Sequence, residues 1–334
     1  MKRKKKNLKK KLLIAIILLL ACALAFLFYK VQLESKNEVI PEAGSSQNAV
    51  KPLTALEHNG EKATLKRHTD TVLLIGTDNF SENSEKSEVE LFYNYQQSDL
   101  LVVLAFDNDN KTVTPFQVNR DTMASVPWLS VNGLVGGHVT EQIALSHTYG
   151  SGGNDSCENT RNAVSELLYN LPIDNYLGFT MDAVPIMNDL VGGVTVILNE
   201  DIPALGDNFV QGAEITLHGQ TALKFVRTRE LEGVHGNVER MSRQRQYVAG
   251  FTESARETAE KNPDLAVDAF KAIDKYLTTD LTVNDISEIV ERLCNYEILP
   301  VVSPDGELKL GEEFVEFYVD DDSLWQNVKT VFCK

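Results

Sequence analysis

Arginine is concentrated in one short part of this chain. Five of the eleven arginines lie between Arg227 and Arg245, although the formal net charge of the protein is -16. The planar guanidinium group donates hydrogen bonds in a fork that fits two oxygens of a phosphate or carboxylate, which the lysine ammonium cannot do. The clustering therefore predicts a site for a small, phosphate-rich anion.

The spacing within the cluster indicates how these side chains converge. In an extended backbone Arg227 and Arg229 point to the same side, and in a helix Arg240, Arg243 and Gln244 share one face. Two elements then aim several guanidinium groups at one ligand. The alternative interpretation is a solvated basic surface that binds nothing.

Two carboxylates lie at strand ends, where a metal site is feasible. Asp78 follows the apolar run Thr71–Gly76 and Thr77, whereas Asp99 follows Ser98 at the start of the next apolar run. If these strands are neighbours, both carboxylates reach one edge of the sheet and hold Mg²⁺, which takes one or two carboxylates and the ligand's phosphates. The alternative is that both are ordinary turn and capping residues.

A third candidate follows the next strand, in the sequence Asn119-Arg120-Asp121-Thr122. Arg120 beside Asp121 is either a surface ion pair, which stabilises a protein little, or a phosphate clamp that its neighbour orients. The tetrapeptide alone leaves both interpretations open.

The elements that must position these residues alternate between strand and helix. Apolar runs predict buried strands at 71–76 and 99–106, and the alternating run 111–119 predicts a third strand in a hairpin with the second. Further strands are predicted at 176–179, 194–198, 296–302 and 314–319, and helices near 140–149, 159–171, 183–190, 219–224, 238–260, 264–276, 283–294 and at the C-terminus. Mixed strands with helices on both faces predict the α/β class, as a three-layer α/β/α sandwich with a mixed central sheet.

The N-terminus predicts a membrane anchor. Residues 2–11 contain eight basic side chains, and the apolar run 12–29 that follows spans roughly 27 Å as a helix, enough for a bilayer core. The basic flank predicts a cytoplasmic N-terminus, a single-pass helix in the cell membrane, and an extracytoplasmic remainder. A cleaved signal peptide is the alternative, and Leu19-Leu20-Ala21-Cys22 resembles a lipoprotein box only weakly.

Charge and cysteine content narrow the class of partner. Residues 12–334 hold 24 basic and 48 acidic side chains, which argues against nucleic acid as a partner of the body of the protein. Cys157, Cys294 and Cys333 follow the apolar segment, an odd number for an oxidising compartment. Spacing leaves it open whether Cys294 pairs with Cys333, with Cys157 free.

The order of short motifs resembles the LytR–CpsA–Psr family. They occur at Gly76–Asp78, Ser98-Asp99, Arg120–Thr122, Tyr149–Gly153, Asp174–Tyr176, Leu190–Val194, Gly219–Arg229 and Arg240–Gln244, within residues 71–251. The resemblance implies a membrane-anchored extracytoplasmic phosphotransferase, which moves an anionic glycopolymer such as teichoic acid or capsule from a polyprenyl-diphosphate carrier to peptidoglycan. It also implies an apolar tunnel for the carrier lipid.

Site roles follow from the resemblance by position. Asp78 and Asp99 correspond to the Mg²⁺ ligands and, with Arg120, to the catalytic residues. The diphosphate ligands correspond to Arg120, Arg227, Arg229, Arg240 and Gln244, and Arg243 is either a further ligand or structural. The implied organisation is a cytoplasmic tail at 1–11, a transmembrane helix at 12–29, a stalk at 30–70, a catalytic-type domain at 71–251 and a C-terminal extension at 252–334 packed on it.

The chain departs from the family pattern in ways that bear on activity. Gln97 stands where an arginine is usual, Gln142 and Ala144 replace the usual lysine and asparagine, and Asn237 replaces an aspartate. Losing one donor to a phosphate in the transition state costs about 3 kcal/mol, or about a hundredfold in rate. The alternative function is therefore a non-catalytic relative that binds polyprenyl-phosphate lipid or cell-wall glycan.

Overall fold

The computed structural model describes residues 53–77, 94–130, 132–228, 265–311 and 314–334, together with helical positions scattered between 240 and 262. The basic tail, the apolar segment 12–29 and the predicted stalk up to residue 52 lie outside these residues. In the part of the chain that is described, no helix is both long enough and apolar enough to cross a membrane.

Fourteen strands and six helices are labelled here within the described residues. The strands are β1 Ala55–His58, β2 Glu61–Thr64, β3 Thr69–Thr77, β4 Ser98–Asp107, β5 Thr112–Val118, β6 Met123–Leu129, β7 Val135–Gln142, β8 Asn175–Thr180, β9 Val194–Ile197, β10 Glu214–Leu217, β11 Leu277–Thr279, β12 Glu297–Ile298, β13 Gly306–Leu310 and β14 Val315–Val319. The α-helices are α1 Asn154–Leu167, α2 Ala183–Leu190, α3 Gly219–Arg227, α4 Leu265–Ile273, α5 Val283–Asn295 and α6 Asp321–Phe332. Short 3₁₀ segments occupy Ile143–Thr148, Pro203–Leu205 and Asp274–Tyr276.

A mixed six-stranded sheet forms the centre of the fold, in the order β11-β8-β3-β4-β5-β12. β3 runs parallel to β8 and antiparallel to β4, whereas β5 is antiparallel to β4 and parallel to β12. β3 and β4 are almost continuously apolar and buried, because helices cover the sheet on both sides. The predicted α/β class with a mixed central sheet is confirmed, as is the predicted β4–β5 hairpin.

The two faces of the sheet pack against different helices. Leu73, Ile75 and Val103 point to one face, in a core cluster shared with α1 and α6. Leu74 and Leu104 point to the other face, where α5 contributes Ile286, Ile289 and Leu293 at helical spacing. A third core cluster joins α2, α3, α4, β9 and β10 with Tyr247 and Phe251.

The N-terminal hairpin of β1 and β2 is fastened to α6 at the end of the chain. Glu61 accepts hydrogen bonds from Trp325 Nε1 (2.6 Å) and Lys329 Nζ (2.8 Å), and His58 Nε2 lies 2.9 Å from Asp321 Oδ2. The backbone N–H of Lys66 donates to the Phe332 carbonyl (2.9 Å). The predicted stalk 30–70 therefore overlaps the folded domain from residue 53. The strands β1 and β2 were not predicted because each is four residues long and together they bury chiefly Leu56 and Ala63.

One further local prediction is corrected, and one open question about the cysteines is answered. The predicted helix near 140–149 is the end of β7 followed by a 3₁₀ segment, and β6 and β7 form an antiparallel hairpin that the sequence did not indicate. β7 is mostly exposed, so it lacks the apolar alternation by which a half-buried strand is found. Cys157 and Cys333 are buried free thiols, so Cys333 is not paired with Cys294.

Candidate functional site

The end of β3 and the start of β4 place one acidic side chain beside the Arg120 turn. Thr77, the last residue of β3, pairs with Ser98, so Asp99 lies at this end of the sheet. Arg120 lies between β5 and β6, where its carbonyl accepts a hydrogen bond from the Ala144 N–H (3.0 Å). Ser98 Oγ donates to the Ala144 carbonyl (3.1 Å), which joins the two segments through one residue.

The guanidinium group of Arg120 is held on three sides. It forms an ion pair with Asp99 through Nη1, donates from Nη2 to Gln97 Oε1 (2.6 Å), and places Nε 3.3 Å from Asp121 Oδ1. The Arg120 and Asp99 side chains are each only 12% exposed. Such confinement fixes the plane of the guanidinium fork, which supports the interpretation of Arg120 as a clamp oriented by its neighbour.

Arg240 approaches the same carboxylate from the helical residues after the gap in the described chain. Its Nη1 lies 3.9 Å from Asp99 Oδ1, and its side chain is 9% exposed. Asp99 therefore lies between two guanidinium groups contributed by segments 120 residues apart in sequence. We call Asp99, Arg120, Asp121 and Arg240 the arginine–aspartate cluster. It brings together three of the predicted site residues.

Gln142 and strand β14 hold Asp121, a member of this cluster, in place. Gln142 Nε2 donates to Asp121 Oδ1 (3.1 Å) and to the Val315 carbonyl (2.7 Å) in β14. The backbone N–H of Phe317 donates to the Asp121 carbonyl (2.8 Å). Asp121 is thus held at its carboxylate and at its backbone, and Gln142 is an integral member of the site network.

Arg243 does not join the cluster. Its side chain is completely buried, its Nη1 donates to Glu200 Oε1 (2.5 Å), and its Nη2 donates to the Thr228 carbonyl. Of the two roles considered from sequence, the contacts support the structural one. Through Thr228, Arg243 ties the second arginine array to the end of the first.

Arg227 is an exposed residue at the C-terminal end of α3. The expectation that it lies in an extended backbone is wrong, because the α3 helix continues through Phe225 and Val226, which are buried. Asp78, Arg229 and Gln244 lie outside the described residues, as does Asn237. Their predicted roles, and that of Arg227 as a diphosphate ligand, remain predictions.

In the sequence, Gln97 and Gln142 stand out only as positions that lack an expected charge, and Glu200 stands out in no way. In the structure Gln97 bonds Arg120, Gln142 bonds Asp121, and Glu200 bonds Arg243 outside the cluster. The position of Gln97 next to Ser98-Asp99 was the available signal. Glu200 carried no signal, because its partner Arg243 is 43 residues away.

The donor set of the cluster fits a hard cation only in part. Asp99 offers a carboxylate oxygen of the kind that Mg²⁺ prefers, whereas Asp78, the other predicted ligand, is outside the described residues. Within those residues there is no group of three or more His, Cys, Asp or Glu side chains suited to a metal ion. Asp99, Asp121, Arg120 and Arg240 carry formal charges that cancel.

A buried imidazole lies beside Gln96, one residue from Gln97. His147 is 2% exposed, its Nδ1 is 3.1 Å from the Gln96 carbonyl oxygen, and its Nε2 is 3.7 Å from Cys157 Sγ. Burial lowers the pKa of His147 to about 4 and raises the pKa of the Cys157 thiol to about 12. Both groups are therefore neutral near pH 7. The imidazole lacks the positive charge that would attract a phosphate, and the thiol is not in its reactive thiolate form.

Comparison with known proteins identifies relatives in cell-wall biosynthesis. The polyisoprenyl-teichoic acid–peptidoglycan teichoic acid transferase TagU of Bacillus licheniformis is 27% identical over 219 residues, 66% of this chain and 62% of the relative. The cell wall biosynthesis protein LcpA of Corynebacterium glutamicum is 27% identical over 283 residues, 75% of this chain and 53% of the relative. The chain thus spans between about half and two-thirds of the length of these curated relatives.

A solved structure supports the fold. The crystal structure of B. subtilis TagV matches with a TM-score of 0.54 at 21% identity, over 80% of this chain and 97% of that one. The model of the LytR_cpsA_psr family matches residues 27–303, most of the sequence. Since this match contains the ordered motifs and the arginine–aspartate cluster, the chain belongs to the LytR_cpsA_psr family.

Proposed function

We propose that this protein is a membrane-anchored extracytoplasmic phosphotransferase that moves an anionic glycopolymer from a polyprenyl-diphosphate carrier to peptidoglycan. The observation that carries the proposal is the confinement of Arg120 and Arg240 around Asp99 at one end of the central sheet. The TagU relatives are named as transferases of this type. The apolar segment 12–29 would anchor the protein in the cell membrane, with residues 1–11 in the cytoplasm.

The cluster suits phosphoryl transfer because its donors are fixed before the ligand arrives. In this reaction type, positioning and electrostatic stabilisation supply most of the rate acceleration. Arg120 and Arg240 would bind diphosphate oxygens and stabilise the charge that develops on the leaving polyprenyl phosphate. Arg227, Arg229 and Gln244 would extend this set of ligands, with Arg243 holding the Thr228 segment in place.

Charge balance motivates a cation at the same place. The described cluster is formally neutral, so a bound diphosphate would compete with Asp99 for the guanidinium donors of Arg120 and Arg240. Asp99 and Asp78 would hold Mg²⁺, which supplies positive charge that neutralises the diphosphate. One of these aspartates would accept the proton of the acceptor hydroxyl, a sugar hydroxyl of peptidoglycan.

Replacing Arg120 tests the proposal. In the Arg120→Ala variant we expect transfer from a lipid-diphosphate donor to peptidoglycan to fall by on the order of a hundredfold or more, because a fixed donor to the phosphate is lost. Arg292→Ala is the matched control, since Arg292 pairs with Asp70 near the opposite end of β3. Transfer at the wild-type rate by folded Arg120→Ala protein contradicts the proposal.

A second candidate function rests on the charge that the site lacks. With Gln97 and Gln142 at positions where the family resemblance implies cations, the protein would bind polyprenyl-phosphate lipid without transferring glycan. Polyprenyl lipid that co-purifies with the full-length protein, with no turnover at saturating Mg²⁺, supports this candidate. Turnover that Arg120→Ala abolishes excludes it.

A further inference from the structure

In the β6–β7 hairpin, the Trp128 side chain packs against the backbone of two glycines. A Cβ atom added at Gly136 would lie 2.2 Å from Trp128 Cη2, and one added at Gly137 would lie 3.0 Å from Trp128 Nε1. The indole therefore occupies the space that a Cβ would need at Gly136, and it lies in close contact with the backbone at Gly137. Trp128 remains 38% exposed, so part of the ring is open to solvent and to ligands.

The hairpin is held rigidly against α1. His138 Nε2 lies 3.1 Å from Glu166 Oε2, and Asn159 Nδ2 donates to the Pro127 carbonyl (2.8 Å). These contacts flank Trp128 on its own strand and on the partner strand, because Trp128 pairs with Gly137. An exposed ring on a fixed scaffold loses little conformational freedom when a ligand covers it.

Both ends of this hairpin lie at the candidate site. β6 begins at Met123, just after Asp121, and β7 ends at Gln142, whose amide bonds the Asp121 carboxylate. Five residue steps separate Met123 from Trp128, a span of about 17 Å along a strand. A ligand on the indole would therefore lie well beyond the first sugar attached to a bound diphosphate.

The charge of the hairpin selects the kind of ligand. From Met123 to Gln142 the sequence contains no lysine or arginine, and its only fully charged residue is Glu141. An anionic glycopolymer would find no counter-charge along this arm. The weakly positive C–H face of an uncharged sugar ring, in contrast, is complementary to the negative face of an indole.

We propose that Trp128 is a saccharide-binding platform that holds the neutral glycan backbone of the acceptor strand while a hydroxyl of that strand reaches the arginine–aspartate cluster. The acceptor role rests on the proposed transferase function. The saccharide binding itself does not, because Trp128 lies outside the cluster and needs neither Mg²⁺ nor diphosphate. The two can therefore fail separately.

The test uses the full-length protein in mild detergent and β-1,4-linked N-acetylglucosamine oligosaccharides of increasing length. Calorimetric titration should show binding that Trp128→Ala weakens by at least about tenfold. Gly136→Ala should weaken it similarly, because the added Cβ displaces the indole. Trp128→Phe, which keeps an aromatic face, should lie between. Tyr318→Ala is the matched control, an exposed ring whose Lys309 Nζ neighbour lies 4.7 Å from its centroid.

Three further measurements separate the outcomes. Arg120→Ala should bind the oligosaccharides as the wild type does, which keeps a failure of the transferase proposal distinct from a failure of this one. Fluorescence should shift to the blue on binding in the wild type, since the other tryptophan, Trp325, is already buried. Equal affinity of wild type and Trp128→Ala, or no binding by the wild type, overturns the proposal. Trp128-dependent self-association without saccharide binding also overturns it and assigns the surface to a second copy.

Discussion

At the scale of single residues, the site shows why amide side chains are hard to interpret from sequence. Gln97 and Gln142 lack the charge expected at their positions, yet each bonds a charged member of the cluster. The convergence of Asp99, Arg120 and Arg240 was predicted because strand ends and arginine arrays are patterns that the sequence itself shows. The role of a glutamine depends on which groups the fold brings near it, and this information is not local in the sequence.

Gln142 provides the sharpest test at this scale. Gln142→Ala leaves the Asp121 carboxylate and the Val315 carbonyl without their shared donor, so we expect a loss of about 1–3 kcal/mol in the free energy of unfolding. We also expect slower transfer, because Asp121 orients Arg120. Gln142→Lys keeps a donor at this position and should retain most of the activity. Urea denaturation and the transfer assay check both parts, and an unchanged midpoint for Gln142→Ala refutes the role.

At the scale of elements, the strands and helices with a regular pattern of apolar residues were predicted from the sequence, and those without one were not. β3, β4 and β5 were found because they are buried on one or both faces, and α6 because its apolar residues recur at helical spacing. β1, β2 and β7 were missed because most of their side chains are exposed, so that cross-strand pairing rather than burial defines them. The contact between the helical residues near 243 and the end of α3 also required the structure.

Arg243 should stabilise the arrangement of these two helical segments. In Arg243→Met the Thr228 carbonyl and Glu200 lose their donor, and we expect unfolding to become easier by about 1–3 kcal/mol. Transfer should fall as well, because Thr228 follows Arg227. Arg120→Ala differs in kind, because it removes a donor to the phosphate itself, so transfer should fall by on the order of a hundredfold or more even in folded protein. If Arg243→Met is as stable as the wild type, its role as a link between the two segments is wrong.

At the scale of the whole molecule, one buried base should make stability depend on pH. The pKa of His147 falls from 6.5, its ordinary value, to about 4 in the folded protein. Between these values the unfolded chain binds the proton and the folded chain does not, so stability is lost as the pH falls. From about pH 7 to about pH 5, this residue alone should cost about 2 kcal/mol.

The measurement compares denaturation of the wild type and of His147→Gln at several pH values. The variant has no group that titrates at this position, so its stability should depend less steeply on pH, even if it is less stable at neutral pH. Cys157→Ser is a useful control because it changes the neighbour of the imidazole without removing the proton-binding group. Parallel curves for the wild type and His147→Gln contradict the prediction.

The contacts between the β1–β2 hairpin and α6 join parts of the protein that are synthesised at different times. Glu61 accepts a hydrogen bond from Lys329, which is 268 positions further along the sequence, and Lys66 donates to the Val331 carbonyl, 265 positions away. At about 5–20 residues per second of synthesis, the first strands leave the ribosome on the order of tens of seconds before their partners exist. The contacts of the first strands with α6 therefore form only after α6 has been synthesised, later than contacts between strands that are close in sequence.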